Sequence, residues 1–373
     1  GYGAMAFPAA LFIRRFTYKA GILMGLGLYA TGALLFIPAS SIGLYYPFLI
    51  AYFVMTCGLS FLETSANPFI LFMGSEETGT RRLNLAQAFN PMGSLTGMLV
   101  AKNLIQARLD PRDAAARATL SPERFEAVKA QDLEVLSAPY IFIGGLILVV
   151  FVLIALVKMP ANNEETHSLN LWKALGRIFS RKRYREGVIT QLFYVGAQIM
   201  SWTFIVQYGQ RIFMEQYGMT AGDAAQKAQF FNIIAMSGFV IFRFVFTFVL
   251  KYVHPGKLLM SLAIAAIGFT SATILIQNIA GLYMLIGISA CMSLMFPTIY
   301  GISLRGMGED AKFGSAGLIM SIVGGSFLPK LQAWIIDVAP GDVLPAVNLS
   351  FVVPLFSFVV ITIFGYRTYK THV

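Results

Sequence analysis

Apolar runs of about 20 residues recur along the chain, separated by short polar breaks. Each is long enough to cross a ~30 Å hydrocarbon core as a helix. Lipid offers the backbone no hydrogen-bond partners, so helices that satisfy their own backbone are the expected element. Spans are predicted at about 20–38, 47–73, 83–106, 138–158, 187–212, 226–250, 257–277, 279–303, 314–336 and 347–366. The shorter apolar run 1–13 reads as the back part of a further span whose front part is missing, which makes about 11 visible spans.

Two interruptions depart from this rhythm. Residues 108–136 mix acids and bases, and Ser121-Pro122-Glu123 reads as an N-cap, a proline at the first helical position and an acid in the first turn. A short amphipathic helix with a solvated face is expected there, outside the membrane. The longest break, 159–186, ends in Arg181-Lys-Arg-Tyr-Arg185 and reads as a linker between an N-terminal half, 1–158, and a C-terminal half, 187–373.

Composition agrees with the pattern. The chain of 373 residues is 57% apolar and only 12% charged, against about 25% charged in a soluble domain. It is read as an all-α, multi-pass protein of the inner membrane, with the lipid bilayer as its partner. The net charge of +10 does not call for nucleic acid. Lys and Arg gather in alternate loops, at Arg14–Lys19, Arg81-Arg82, the linker, Lys251–Lys257, Arg305–Lys312 and the tail. The positive-inside rule then places these loops and the C-terminus in the cytoplasm. Cys57 and Cys291 both lie within apolar spans, which argues against a disulfide framework or a metal site.

Chemistry is sought where polar groups enter the apolar runs. Glu63 sits near the middle of 47–73, where a charged side chain costs on the order of 2.5–3.5 kcal/mol. It reads as a proton or substrate group, or as a structural acid held by a buried base. Asn67 follows one turn later, and Asn67-Pro68 also reads as a helix break near an inner gate, mirrored by Phe296-Pro297. Asn84, Gln87 and Asn90 repeat every third residue along one drifting face. Gln191, Tyr194, Gln198 and Trp202 form a second one-sided stripe in the other half. Amides donate and accept, which suits sugar hydroxyls, and aromatic rings offer a flat surface to the apolar face of a sugar. The same amides could instead simply bond across helices. Arg243 reads as structural pairing in the inner gate, and Lys330 as pairing with an acid or lining a cavity. His167, His254 and His372 fall in the linker, a loop and the tail, none placed as a proton relay. With no phosphate-binding glycine loop, the expected energy source is an ion gradient, with the proton as coupling ion and no other cofactor.

Several stretches resemble the fucose–proton symporters of the major facilitator superfamily. These are Arg15-Phe-Thr-Tyr18-Lys19-Ala-Gly21, Leu62-Glu63-Thr64-Ser-Ala-Asn67-Pro68-Phe69, Arg82-Leu83-Asn84-Leu-Ala-Gln87-Ala-Phe-Asn90, Tyr194-Val-Gly-Ala-Gln198 and Phe296-Pro297-Thr298-Ile299. The resemblance covers essentially the whole chain. It implies twelve helices in two six-helix halves, of which this chain lacks the first helix, around a cavity opened alternately to each side. It implies Glu63 as the proton-linked acid and Gln87 and Asn90 as sugar-contacting amides. The expected function is a monomeric proton-coupled symporter of a hexose or deoxyhexose, L-fucose first, rather than an enzyme. The alternatives are a glucose/galactose carrier of the same family and a sugar sensor that does not transport.

Overall fold

The protein is described by a computed structural model that covers residues 1–110, 112, 114–159, 171–339 and 345–371. His167 and His372, and most of the first part of the expected linker, lie outside the described residues. The described residues form helices and no strands.

In chain order the helices are α1 (Tyr2–Arg15), α2 (Tyr18–Leu34), α3 (Phe36–Ile42), α4 (Tyr45–Phe72), α5 (Glu76–Gln87), α6 (Phe89–Val100), α7 (Ala114–Ala118) and α8 (Pro122–Leu156). Within the stretch expected as a linker lies α9 (Leu171–Ser180), and α10 (Lys182–Tyr217) begins before its end; then come α11 (Ala221–Val249), α12 (Pro255–Leu275), α13 (Ile279–Met292), α14 (Met295–Leu304), α15 (Ala311–Met320), α16 (Gly324–Val338), α17 (Ala346–Ser350) and α18 (Val352–Thr371). Among the described residues, nine helical stretches are long and apolar enough to cross a membrane.

Two expectations are modified. The predicted span 83–106 is built from two 12-residue helices, α5 and α6, followed by a π-helical turn, Ala101–Gln106. The break falls at Ala88, three residues before Pro91, whose ring cannot continue a regular helix behind it. The amphipathic stretch expected to stand apart from the span 138–158 is instead continuous with it. Ser121 is the N-cap and Pro122 the first residue of the single 35-residue helix α8, which runs through Pro139 unbroken.

Packing divides the chain into two compact units, Gly1–Asn67 with Thr96–Ser168, and Pro68–Leu95 with Leu169–Val373. In the first, α2 lies along α8, and a small cluster of Ala33, Phe36, Ala51 and Met55 forms its core against Phe48 and Tyr140. Lys19 donates to the last carbonyls of α8, Ala155 O at 2.7 Å and Val157 O at 2.8 Å, so a basic side chain serves a helix C-terminus.

In the second unit α10 is the central helix, packed by α11, α13, α14, α16 and α18. Its core is continuous from Tyr194 and Met200 to Phe239, Leu285, Ile299 and Phe358. The approach to α16 is very close. A Cβ on Gly324 would lie 2.2 Å from Leu192 O, so only glycine fits there. Segment 68–95 belongs to this unit because α5 packs along α14 and touches α11.

Candidate functional site

In the first unit the polar group in the apolar run is a pair. Glu63 and Asn67 stand one turn apart on α4, and Asn67 Nδ2 donates to the Glu63 carboxylate. Asn67 is buried and Glu63 half-buried. Small hydroxyl residues, Ser60, Thr64 and Ser65, fill the same stretch and are buried. Ser65 returns its proton to the backbone at Phe61 O, 2.6 Å away, so its polarity is spent within the helix. Tyr2 of α1 lies close enough to Glu63 to feel its charge. An acid bonded to a neighbouring amide within an apolar helix has the chemistry to take up and release a proton.

In the second unit the α5–α6 amides grade from enclosed to open. Asn84 is fully buried and donates to Thr80 O at 2.9 Å and to Thr298 Oγ1 of α14 at 3.1 Å. Gln87 is half-buried, and Asn90, just past the helix break, is exposed. The face of α5 that carries Asn84 meets α14 along its length. Glu76 lies 3.9 Å from Arg305, and Thr80 sits against Gly301, where a Cβ would come within 2.8 Å of Thr80 Oγ1. Arg243 of α11 reaches the same face, with Nη1 donating to Gln87 O at 2.7 Å and Nε to Ser293 O at 2.5 Å.

Beside this contact lies a cavity of about 190 Å³, lined among others by Phe72, Glu76, Thr80, Arg305 and Met307. His254, in the loop before α12, borders a neighbouring cavity. Burial, and then the charge of Arg305, push its imidazole below the ordinary histidine value.

The stripe on α10 is placed differently. Gln191 and Tyr194 are fully buried inside the second unit. Tyr194 donates to Met292 O at 3.0 Å, and Trp202 Nε1 donates to Ser289 Oγ at 3.0 Å. Ser289 in turn donates to Ala235 O at 2.8 Å. Two of the four stripe residues therefore tie α10 to α13 and, through Ser289, to α11. Among the described residues, neither amide atom of Gln191 has a hydrogen-bond partner. Gln198 is half-buried on the same helix.

Pro68 is buried within the unbroken helix α4, and Pro297 is buried at the start of α14. Lys330 is exposed on α16, directly after Pro329. Sequence reasoning missed Thr80, Thr298 and Gly301 as a contact surface. Thr80 and Gly301 stand one helical turn from Asn84 and Pro297, and Thr298 directly follows Pro297, a pattern of small or hydroxyl residues too common to single out.

A family model for the Major Facilitator Superfamily matches residues 1–329. An L-fucose-proton symporter of Haemophilus influenzae is 49% identical over 99% of this chain and 86% of its own length. An L-fucose-proton symporter of Escherichia coli is 34% identical over 98% of this chain and 82% of its own. A crystal structure of a Major Facilitator Superfamily transporter, FucP, in the outward conformation superposes with a TM-score of 0.89 at 34% identity, covering 100% of this chain and 88% of that one. The apolar helices and these matches agree, and the chain belongs to the Major Facilitator Superfamily, within its family of fucose–proton symporters.

Proposed function

We propose that this protein is a proton-coupled sugar symporter of the inner membrane, with L-fucose as first substrate. The supporting observation is the Glu63–Asn67 pair, an acid and an amide bonded to each other inside an apolar helix. The names of the relatives, L-fucose-proton symporters at 49% and 34% identity, point the same way. Two helical bodies alternate access, with the C-terminus in the cytoplasm and the monomer as the working unit.

Proton coupling follows from the cost of charge in an apolar path. An ionised Glu63 is expensive to enclose, whereas a protonated one is not. Reorientation with the site closed is therefore favoured once Glu63 holds a proton. Gln87 and Asn90 bind sugar hydroxyls, their amides able both to donate and to accept. Asn67 holds the carboxyl in place while it exchanges its proton. The loaded carrier rocks inward and releases both cargoes.

The test is uptake of a panel of labelled hexoses into proteoliposomes, with and without a pH gradient. Accumulation of L-fucose driven by inward acidification is expected. Glu63→Gln abolishes accumulation while sugar exchange continues, because the amide mimics the protonated acid. Accumulation that survives this substitution removes Glu63 from coupling.

A further inference from the structure

Arg243 carries a buried charge, 4% exposed, about two turns inside the end of α11. Its two backbone contacts share an unusual property. Nη1 donates to Gln87 O at 2.7 Å, and four residues beyond Gln87 stands Pro91. Nε donates to Ser293 O at 2.5 Å, and four residues beyond Ser293 stands Pro297. In a regular helix the N–H of residue i+4 closes the bond onto the carbonyl of residue i. Proline has no N–H, and its ring pushes that carbonyl aside. Each proline thus deprives one carbonyl of its helical donor, and each helix breaks there, at Ala88 and at Ser293–Leu294. The planar guanidinium presents fixed, divergent N–H groups, and here it supplies the missing donor to both carbonyls. Phe239, one turn earlier on α11, supports it from below, with its ring centroid 4.9 Å from the guanidinium carbon.

We propose that Arg243 is a positioning residue: a clamp on two carbonyls that locks the α5–α6 break to the α13–α14 break. It acts through Gln87 and the turn that carries Asn90, and it forms the last rung of the face on which Glu76, Thr80 and Asn84 meet α14. Release of the clamp therefore changes the pitch of the amide-bearing turn and loosens that face together. The functional consequence rests on the sugar-symport reading, but the clamp itself does not.

The experiment is a double-mutant cycle with two readouts. One is L-fucose affinity of the purified protein. The other is the rate of disulfide formation between Thr80→Cys and Gly301→Cys, after Cys57 and Cys291 are replaced by serine. Arg243→Gln is expected to lower both by about tenfold, the usual weight of a charged hydrogen bond. Arg243→Lys is expected to do nearly as badly, because one ammonium keeps the charge but cannot present two divergent donors in this geometry. Pro91→Ala added to Arg243→Gln is expected to recover part of both losses, since an N–H at position 91 then serves Gln87 O. Wild-type behaviour of Arg243→Lys, or no recovery with Pro91→Ala, overturns the clamp. If the parent protein binds no sugar, the symport reading falls, and the cross-linking rates alone decide on the clamp.

Discussion

The two polar stripes, one on α5–α6 and one on α10, look alike as sequence and differ as structure. Both repeat amides or aromatics at helical spacing within apolar runs. On α5–α6 the side chains pass from enclosed Asn84 to exposed Asn90 across a helix break. On α10 they lie on a continuous 36-residue helix, and Tyr194 and Trp202 both bond to α13 of the same unit. Periodicity says that residues share a face, but not what that face meets. A helix break stands beside the polar groups of α5–α6, whereas none interrupts α10.

Three substitutions sharpen or break this contrast. The largest effect is expected at Asn90. Asn90→Ala lowers L-fucose affinity by about tenfold, the scale of one to two sugar hydrogen bonds. Calorimetric titration measures it, and unchanged affinity removes Asn90 from the site.

Next comes Gln191, whose fully buried amide lacks partners among the described residues. Leaving such a group unsatisfied costs roughly 1–3 kcal/mol. Gln191→Met is expected to raise the melting temperature in detergent by about 2–4 °C per kcal/mol recovered, with sugar affinity unchanged. A fall in affinity instead places the α10 stripe in the sugar site and ends the contrast.

The smallest effect is at Trp202. Trp202→Phe removes the donor to Ser289 and costs about 1 kcal/mol of stability. Transport kinetics should be untouched, because that bond lies within one packed body; a raised KM for sugar would show the indole contacting the substrate.

Much of this molecule was legible in advance. The span positions, the Ser121–Pro122 helix start and the acid within α4 follow from apolar run length, cap chemistry and the cost of buried charge. The joining of residues 122–156 into one helix was not legible. Mixed charge marks a solvated face but does not by itself end a helix, and α8 continues even through Pro139. Lys330 showed the opposite limit. Its depth within an apolar run left pairing with an acid and lining a cavity equally open, and only the structure shows that it stands exposed on α16.

The sequence by itself determined that this chain crosses a membrane as helices, roughly where most of those helices run, which side chains share a face and that Glu63 lies within an apolar run. All of these depend on residues close together along the chain. The tertiary structure alone decided which faces are packed and which are open. It set Asn84 against Thr298, Thr80 against Gly301, and the Arg243 guanidinium onto the carbonyls of Gln87 and Ser293. Those pairings join residues 50 to more than 200 positions apart. They depend on how closely two backbones can approach, which glycines and prolines on separate helices fix jointly.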